Sequence, residues 1–207
     1  MKYFLFISFS TFLLASSYPH FSKKEFIYIQ KHSGKMAKNR ALDYQETINK
    51  FSKDTKEKQL NEVNFYLNQL LPQYDSVMQH KEDYWESPKE FLVNGYGDCE
   101  DYVIIKYFTL LKLGFDKKKL FMTTVREKFS GGNHMVLCYF PEEGKSPLVL
   151  DNLSFKILPL NIRVDLKSNR FINHNGVYII NKKNKLKKIY SGSIQYVNLL
   201  KKIQKEN

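Results

Sequence analysis

Between Cys99 and Leu113 the chain is apolar on most sides of a helix, through Tyr102, Val103, Ile104, Ile105, Phe108, Leu110 and Leu111. A helix without a wide polar face has to be covered all round. The rest of the chain must therefore wrap this segment. Its ends are marked: Gly95 and Gly97 break what precedes, Asp98 opens the helix, and Gly114 stops it. At 207 residues the chain is long enough to supply that cover from one domain without disulfide staples.

Upstream, the periodicity is helical. Ala37, Ala41, Tyr44, Ile48 and Phe51 make one apolar stripe, and Leu60, Val63, Leu67 and Leu70 make a second. Asp54 is placed to cap the second helix, and Pro72 to end it. Residues 73–86 read as a loop or short irregular element. Ser87-Pro88-Lys89-Glu90 then reads as a capping box with proline at the first helical position.

Downstream, the period changes. Leu120–Arg126, His134–Phe140, Leu148–Asp151, Phe171–Asn173, Val177–Ile180 and Leu186–Tyr190 are short runs of aliphatic, aromatic and Thr residues between turn-forming segments. Ile194–Ile203 closes the chain as an amphipathic helix. Helices followed by an antiparallel sheet make an α+β protein, with a central helix packed on the sheet. No internal repeat or low-complexity linker divides residues 18–207, so one domain is expected.

Residues 1–17 stand apart. Lys2 precedes an apolar run from Tyr3 to Leu14, and Ala15-Ser16-Ser17 offers small residues for cleavage. That is the pattern of a signal peptide, too short for a bilayer span of about 20 residues. An exported chain raises the question of disulfides. Only Cys99 and Cys138 are present, and the setting of Cys99 is that of a working thiol. The formal charge of +12 attracts acidic partners, but it is spread along the chain and Lys-rich. It accompanies no nucleic-acid motif, so a solubilising surface is expected and nucleic-acid binding is not. The run Lys182, Lys183, Lys185, Lys187, Lys188 reads as a solvated hairpin.

Cys99 lies at a helix start, where free N–H groups and the positive end of the helix dipole favour a thiolate and can donate to an oxyanion. Gly95 and Gly97 just upstream would leave room for a substrate backbone. A thiol that attacks an amide needs a base that later acts as acid, and imidazole suits both tasks. It also needs an orienting carboxylate. His134 at the start of one strand and Asp151 at the end of another supply both, since neighbouring strands lie about 5 Å apart. Singly, each residue has a plainer reading: a buried cysteine, a turn histidine, a strand-end aspartate. Cys138 reads as a small buried apolar residue.

Asp98, Glu100 and Asp101 flank Cys99. Acidic residues in the first turn complement a helix dipole, but three carboxylates beside a thiol oppose its ionisation. A bound hard cation would resolve the conflict, and calcium takes carboxylate oxygens.

The stretch Tyr84–Leu92, then Gly97-Asp98-Cys99-Glu100-Asp101-Tyr102, Ile105-Lys106-Tyr107-Phe108, Leu113-Gly114, His134-Met135-Val136-Leu137, Pro147–Asn152 and Arg163-Val164-Asp165-Leu166 resembles the bacterial transglutaminase-like cysteine proteinases. The resemblance runs from residue 40 to residue 180. It implies a papain-like, transglutaminase-like fold and a triad of Cys99, His134 and Asp151. It also implies calcium dependence, with Asp98, Glu100 and Asp101 holding the metal. The implied role is periplasmic cleavage near the N-terminus of a large surface adhesin, which releases it and disperses biofilm. An inner-membrane receptor for cyclic di-GMP that sequesters the protease is the implied regulator. A transglutaminase-like acyl transferase or other amide hydrolase on the same triad is the alternative, and a binding module without catalysis is a second.

Overall fold

Three helices come first in a computed structural model that describes residues 18–72 and 84–206. They are α1 (Lys23–His32), α2 (Gly34–Phe51) and α3 (Lys56–Leu67). The expected signal segment, residues 1–17, and most of the loop 73–86 lie outside the described residues. Ser22 and Glu25 form a capping box at α1. In α2 the stripe Ala37, Ala41, Tyr44 and Ile48 is buried, with Phe51 at its edge. Thr55, not Asp54, caps α3: its backbone is extended and its side chain accepts from Lys58 N. Asp54, one residue early, instead pairs with Lys58 Nζ at 2.7 Å. Helix α3 ends at Leu67, ahead of Pro72, with Asn68 as its C-cap.

The chain then makes a short strand, β1 (Leu71–Pro72), paired in parallel with β2 (Tyr96–Gly97). Between them lies α4 (Pro88–Asn94), opened by the Ser87/Glu90 capping box and closed by left-handed Gly95 at φ 81°. The two glycines make room for this chain's own side chains, not for a substrate backbone. A Cβ on Gly95 would meet the Arg40 guanidinium at 2.1 Å, and one on Gly97 would meet Asp101 Oδ2 at 2.7 Å and the Phe91 ring at 2.8 Å. Arg40 uses that space to donate to the carbonyls of Leu92 and Val93 at the end of α4.

Helix α5 (Cys99–Lys112) is the central element, buried from Glu100 to Leu110. It lies against an antiparallel sheet of β3 (Leu120–Glu127), β4 (Asn133–Tyr139), β5 (Leu148–Asp151), β6 (Ser154–Pro159), β7 (Leu166–Asn173), β8 (Gly176–Ile180) and β9 (Leu186–Tyr190). The spatial order is β6-β5-β4-β3-β7-β8-β9. One face of the sheet sends Leu120, Met122, Met135, Leu137 and Leu150 into the helix-side core. The other face buries Phe121, Val125, Val136, Cys138, Val149 and Phe171 in a second cluster. Cys138 is therefore a packing residue. The last helix, α6 (Ile194–Lys205), adds Tyr196, Leu199 and Ile203 to the main core.

Besides the short β1–β2 pair, which the sequence reading did not include, two strands of the large sheet depart from expectation. β6 is an edge strand that follows Asp151 after a two-residue turn, and its exposed Phe155 and Lys156 and its terminal proline disguise it. β7 begins five residues earlier than its apolar end suggests, because Lys167, Asn169 and Arg170 face solvent. The basic run does form the β8–β9 hairpin, with its lysines exposed.

Lys106 is fully buried on α5, where its Nζ donates to Asn64 Oδ1 at 2.8 Å. Burial pushes its ammonium down to about 7, although the negative charge of Asp151 pulls it upward. Between that value and the free-lysine value, the unfolded chain binds more protons than the folded one. Stability therefore rises with pH from about 7 towards about 10, and this contribution is lost on acidification. Lys106→Met is expected to flatten that rise, read as the difference between the two proteins in denaturant unfolding at pH 7 and pH 9.5. An unchanged slope would show that Lys106 is not the titrating group.

Candidate active site

Cys99 is the first residue of α5, and Asp98 caps the helix by accepting from Glu100 N at 3.2 Å. Asp101 completes the capping box, its Oδ2 accepting from Asp98 N at 3.3 Å. The local sequence thus places the thiol at the helix mouth, half-buried. Its Sγ–H donates to Glu100 Oε2 at 3.0 Å. The thiol is driven far above its ordinary range, by burial first, then by the charge and hydrogen bond of Glu100 and the charge of Asp98. The Met135 N–H opposes them only in part.

His134 lies on β4 and Asp151 ends β5. Leu137 faces Leu150 in their register, which makes His134 the diagonal same-face neighbour of Asp151. The contact follows: His134 Nε2 lies 2.9 Å from Asp151 Oδ1, both residues buried. With Nε2 engaged by the carboxylate, Nδ1 is the ring nitrogen left for the thiol. Burial alone would raise the Asp151 carboxyl. The hydrogen bond and charge of His134, the Leu153 N–H and Arg163 together overcome it and hold the carboxyl down at about 2.

Cys99 and His134 line one cleft of about 1090 Å³. Its walls come from the ends of β3, β4 and β7 and from residues 192–195, and Trp85 borders it while also packing on the main core. The structure thus brings Cys99, His134 and Asp151 to one place. It divides the three acidic residues. Asp98 and Glu100 converge with Cys99, their ligand atoms within 4.8 Å of one another. Asp101 turns inward: it is 1% exposed, and its Oδ1 accepts from Glu86 N at 2.8 Å.

Further residues around Asp151 carry no role in the sequence reading. Asn68 Nδ2 donates to the Asp151 carbonyl at 2.8 Å. Arg163 Nη2 donates to Asp151 Oδ2 at 2.8 Å and to Asp165 Oδ2 at 2.6 Å. The only signal for Arg163 and Asp165 was their place in the Arg-Val-Asp-Leu segment of the resemblance.

The model of the family described as "Bacterial transglutaminase-like cysteine proteinase" matches residues 24–165. Calcium-bound LapG of Legionella pneumophila is 32% identical, with a TM-score of 0.74 over 86% of this chain and 98% of that one. EGTA-treated LapG of the same organism gives 32% identity and a TM-score of 0.73, over 86% of this chain and 97% of that one. No curated protein matches. A thiol at the mouth of a buried helix, an imidazole held by a carboxylate and the shared fold lead to one conclusion: this chain belongs to the bacterial transglutaminase-like cysteine proteinases and is a cysteine protease.

Proposed function

We propose that the protein is a calcium-dependent endopeptidase that works in the periplasm and cuts a large cell-surface adhesin near its N-terminus, controlling adhesion and biofilm dispersal. The observation that carries the catalytic part is the Asp151-held His134 sharing a cleft with Cys99 at a helix start. His134 Nδ1 takes the thiol proton as Sγ attacks the scissile carbonyl. The oxyanion is stabilised by the Cys99 N–H, since the Asp98 cap already occupies the next N–H groups of the helix. His134 then gives the proton to the leaving amine, which leaves a thioester on Cys99. Water, deprotonated by His134, releases the new carboxyl group.

The residues present fit a hard divalent cation. Two carboxylates converge beside a thiol that their charge suppresses, and carboxylate oxygens suit calcium. Asp98 and Glu100 would hold it. Asp101, the third residue expected to take part, is spent on Glu86 N and Asp98 N and braces the loop that presents the other two. When bound, calcium offsets the acidic charge around Cys99 and so favours its thiolate. That LapG has been solved both with calcium and after EGTA treatment supports the reading.

Glu100→Gln removes one ligand charge and the charged acceptor of the thiol proton. The expected result has two signs. The calcium concentration for half-maximal activity rises by about tenfold or more, while alkylation of Cys99 in EGTA at neutral pH becomes faster. A variant with an unaltered calcium midpoint would remove Glu100 from the site.

Export rests on residues 1–17, and regulation by an inner-membrane cyclic di-GMP receptor on the family resemblance. The functional reading is tested by incubating the purified protein with the N-terminal segment of an adhesin from the same genome, in calcium and in EGTA. Cleavage in calcium alone is expected. No cleavage in either condition would refute the substrate, and equal cleavage in both would refute the metal.

A further inference from the structure

The connection between β6 and β7 does more than join two strands. β6 is at one edge of the sheet and β7 lies beyond β3, so residues 160–165 must carry the chain past β5, β4 and β3. Leu160 and Leu166 pack on the second cluster, anchoring this connection at both ends on the sheet face away from α5. Backbone bonds fix it as well: Leu160 N donates to Pro147 O at 2.8 Å, and Lys128 N to Asp165 O at 2.8 Å. Arg163 sits between these anchors with its side chain 10% exposed, and it reaches Asp151 from behind.

Asp151 has two oxygens with separate duties. Oδ1 faces His134 Nε2 and accepts from Leu153 N at 3.0 Å. Oδ2 is held by Arg163 Nη2 at 2.8 Å. Without that grip, a buried carboxylate oxygen would lose its charged partner and the group could rotate away from the imidazole. A lone cation here would carry a cost, because it would draw the charge of Asp151 away from His134. Asp165 offsets it: its carboxylate takes Arg163 Nε at 2.9 and 3.1 Å and Nη2 at 2.6 Å. The Arg163–Asp165 pair is therefore close to neutral. It orients Asp151 while leaving its charge available to the imidazole.

We infer that Arg163, held by Asp165, is a positioning residue of the catalytic centre, and that it fixes which Asp151 oxygen His134 sees. This rests on the proposed triad. The test is chosen to survive failure of the substrate reading. The mature chain, with ¹⁵N-labelled histidine, is prepared as wild type, Arg163→Gln, Arg163→Lys and Asp165→Asn. The readout is the deshielded Nε2–H resonance of His134 and its exchange with water, which needs no substrate. In Arg163→Gln the resonance is expected to move upfield and its exchange to quicken by about tenfold, the equivalent of one lost hydrogen bond. Arg163→Lys restores it only in part, because an ammonium cannot span Asp151 and Asp165 as a guanidinium does. Asp165→Asn gives a smaller change in the same direction. With a cleavable adhesin segment in hand, kcat of Arg163→Gln falls by about 100-fold with KM little changed.

A folded Arg163→Gln with the wild-type resonance and exchange rate would overturn the inference, even if its melting temperature fell. Should that variant fail to fold, wild-type resonances in both Arg163→Lys and Asp165→Asn would overturn it instead.

Discussion

Cys99→Ala is expected to abolish peptide cleavage, with a loss of at least about 10³-fold, while the protein folds and its calcium titration matches that of the wild type. The size follows from chemistry: no thioester forms without the sulfur, and water activated by His134 would have to attack the unactivated amide directly. The intact fold follows from place. Cys99 is half-buried at the helix mouth, where it bonds to Glu100 and the Met135 N–H and packs only at the border of the main core. Removing it is expected to change stability by no more than about 1 kcal/mol. Calcium titration followed by thermal unfolding checks that half of the result. A folded Cys99→Ala protein that still cuts would end the assignment, and one that no longer responds to calcium would make Cys99 part of the metal site.

Asp151→Asn should be nearly as damaging and should also weaken the fold. The carboxylate receives His134 Nε2 and Leu153 N on one oxygen and Arg163 on the other. An amide of the same shape can hold His134 in the wrong tautomer and cannot stabilise its imidazolium. A fall in kcat on the order of 10³–10⁴-fold is expected. Arg163 keeps Asp165 but loses a charge-assisted bond, a cost of about 1.5–3 kcal/mol. The pH sign is defined. Asp151 is held down at about 2 against about 3.9 when unfolded, so its contribution is complete above about pH 4 and lost as pH falls through 2. Asp151→Asn should lack that acid-side loss of stability, measured by unfolding at pH 5 and pH 2.5. A variant with wild-type kcat would show that the His134–Asp151 contact is incidental to turnover.

How much of this was legible in the sequence differs by feature. The buried helix announced itself because apolar residues on all sides admit no other placement, and Ser87-Pro88-Lys89-Glu90 marked α4 because a capping box is a local device. β6 at the sheet edge and the polar first half of β7 were hidden, since neither stretch carries a clean apolar alternation. The cap moved from Asp54 to Thr55 because either side chain can accept and only backbone conformation decides. At the site, Cys99, His134 and Asp151 were readable as residue types at strand and helix ends. The roles of Arg163, Asp165 and Asn68 were not, because they depend on a crossover and on register, which place distant residues around one carboxylate. The inward turn of Asp101 was equally invisible. Three neighbouring carboxylates look alike in sequence, and only the close approach of Gly97 shows where the third one goes.

The most direct test is stoichiometric labelling. With calcium present, the protein is treated with increasing iodoacetamide, and adduct mass, site of modification and cleavage rate are followed together. One adduct on Cys99 is expected, with activity falling in proportion to its occupancy and Cys138 unmodified in its fully buried place. Full activity remaining after Cys99 is completely alkylated would contradict the account.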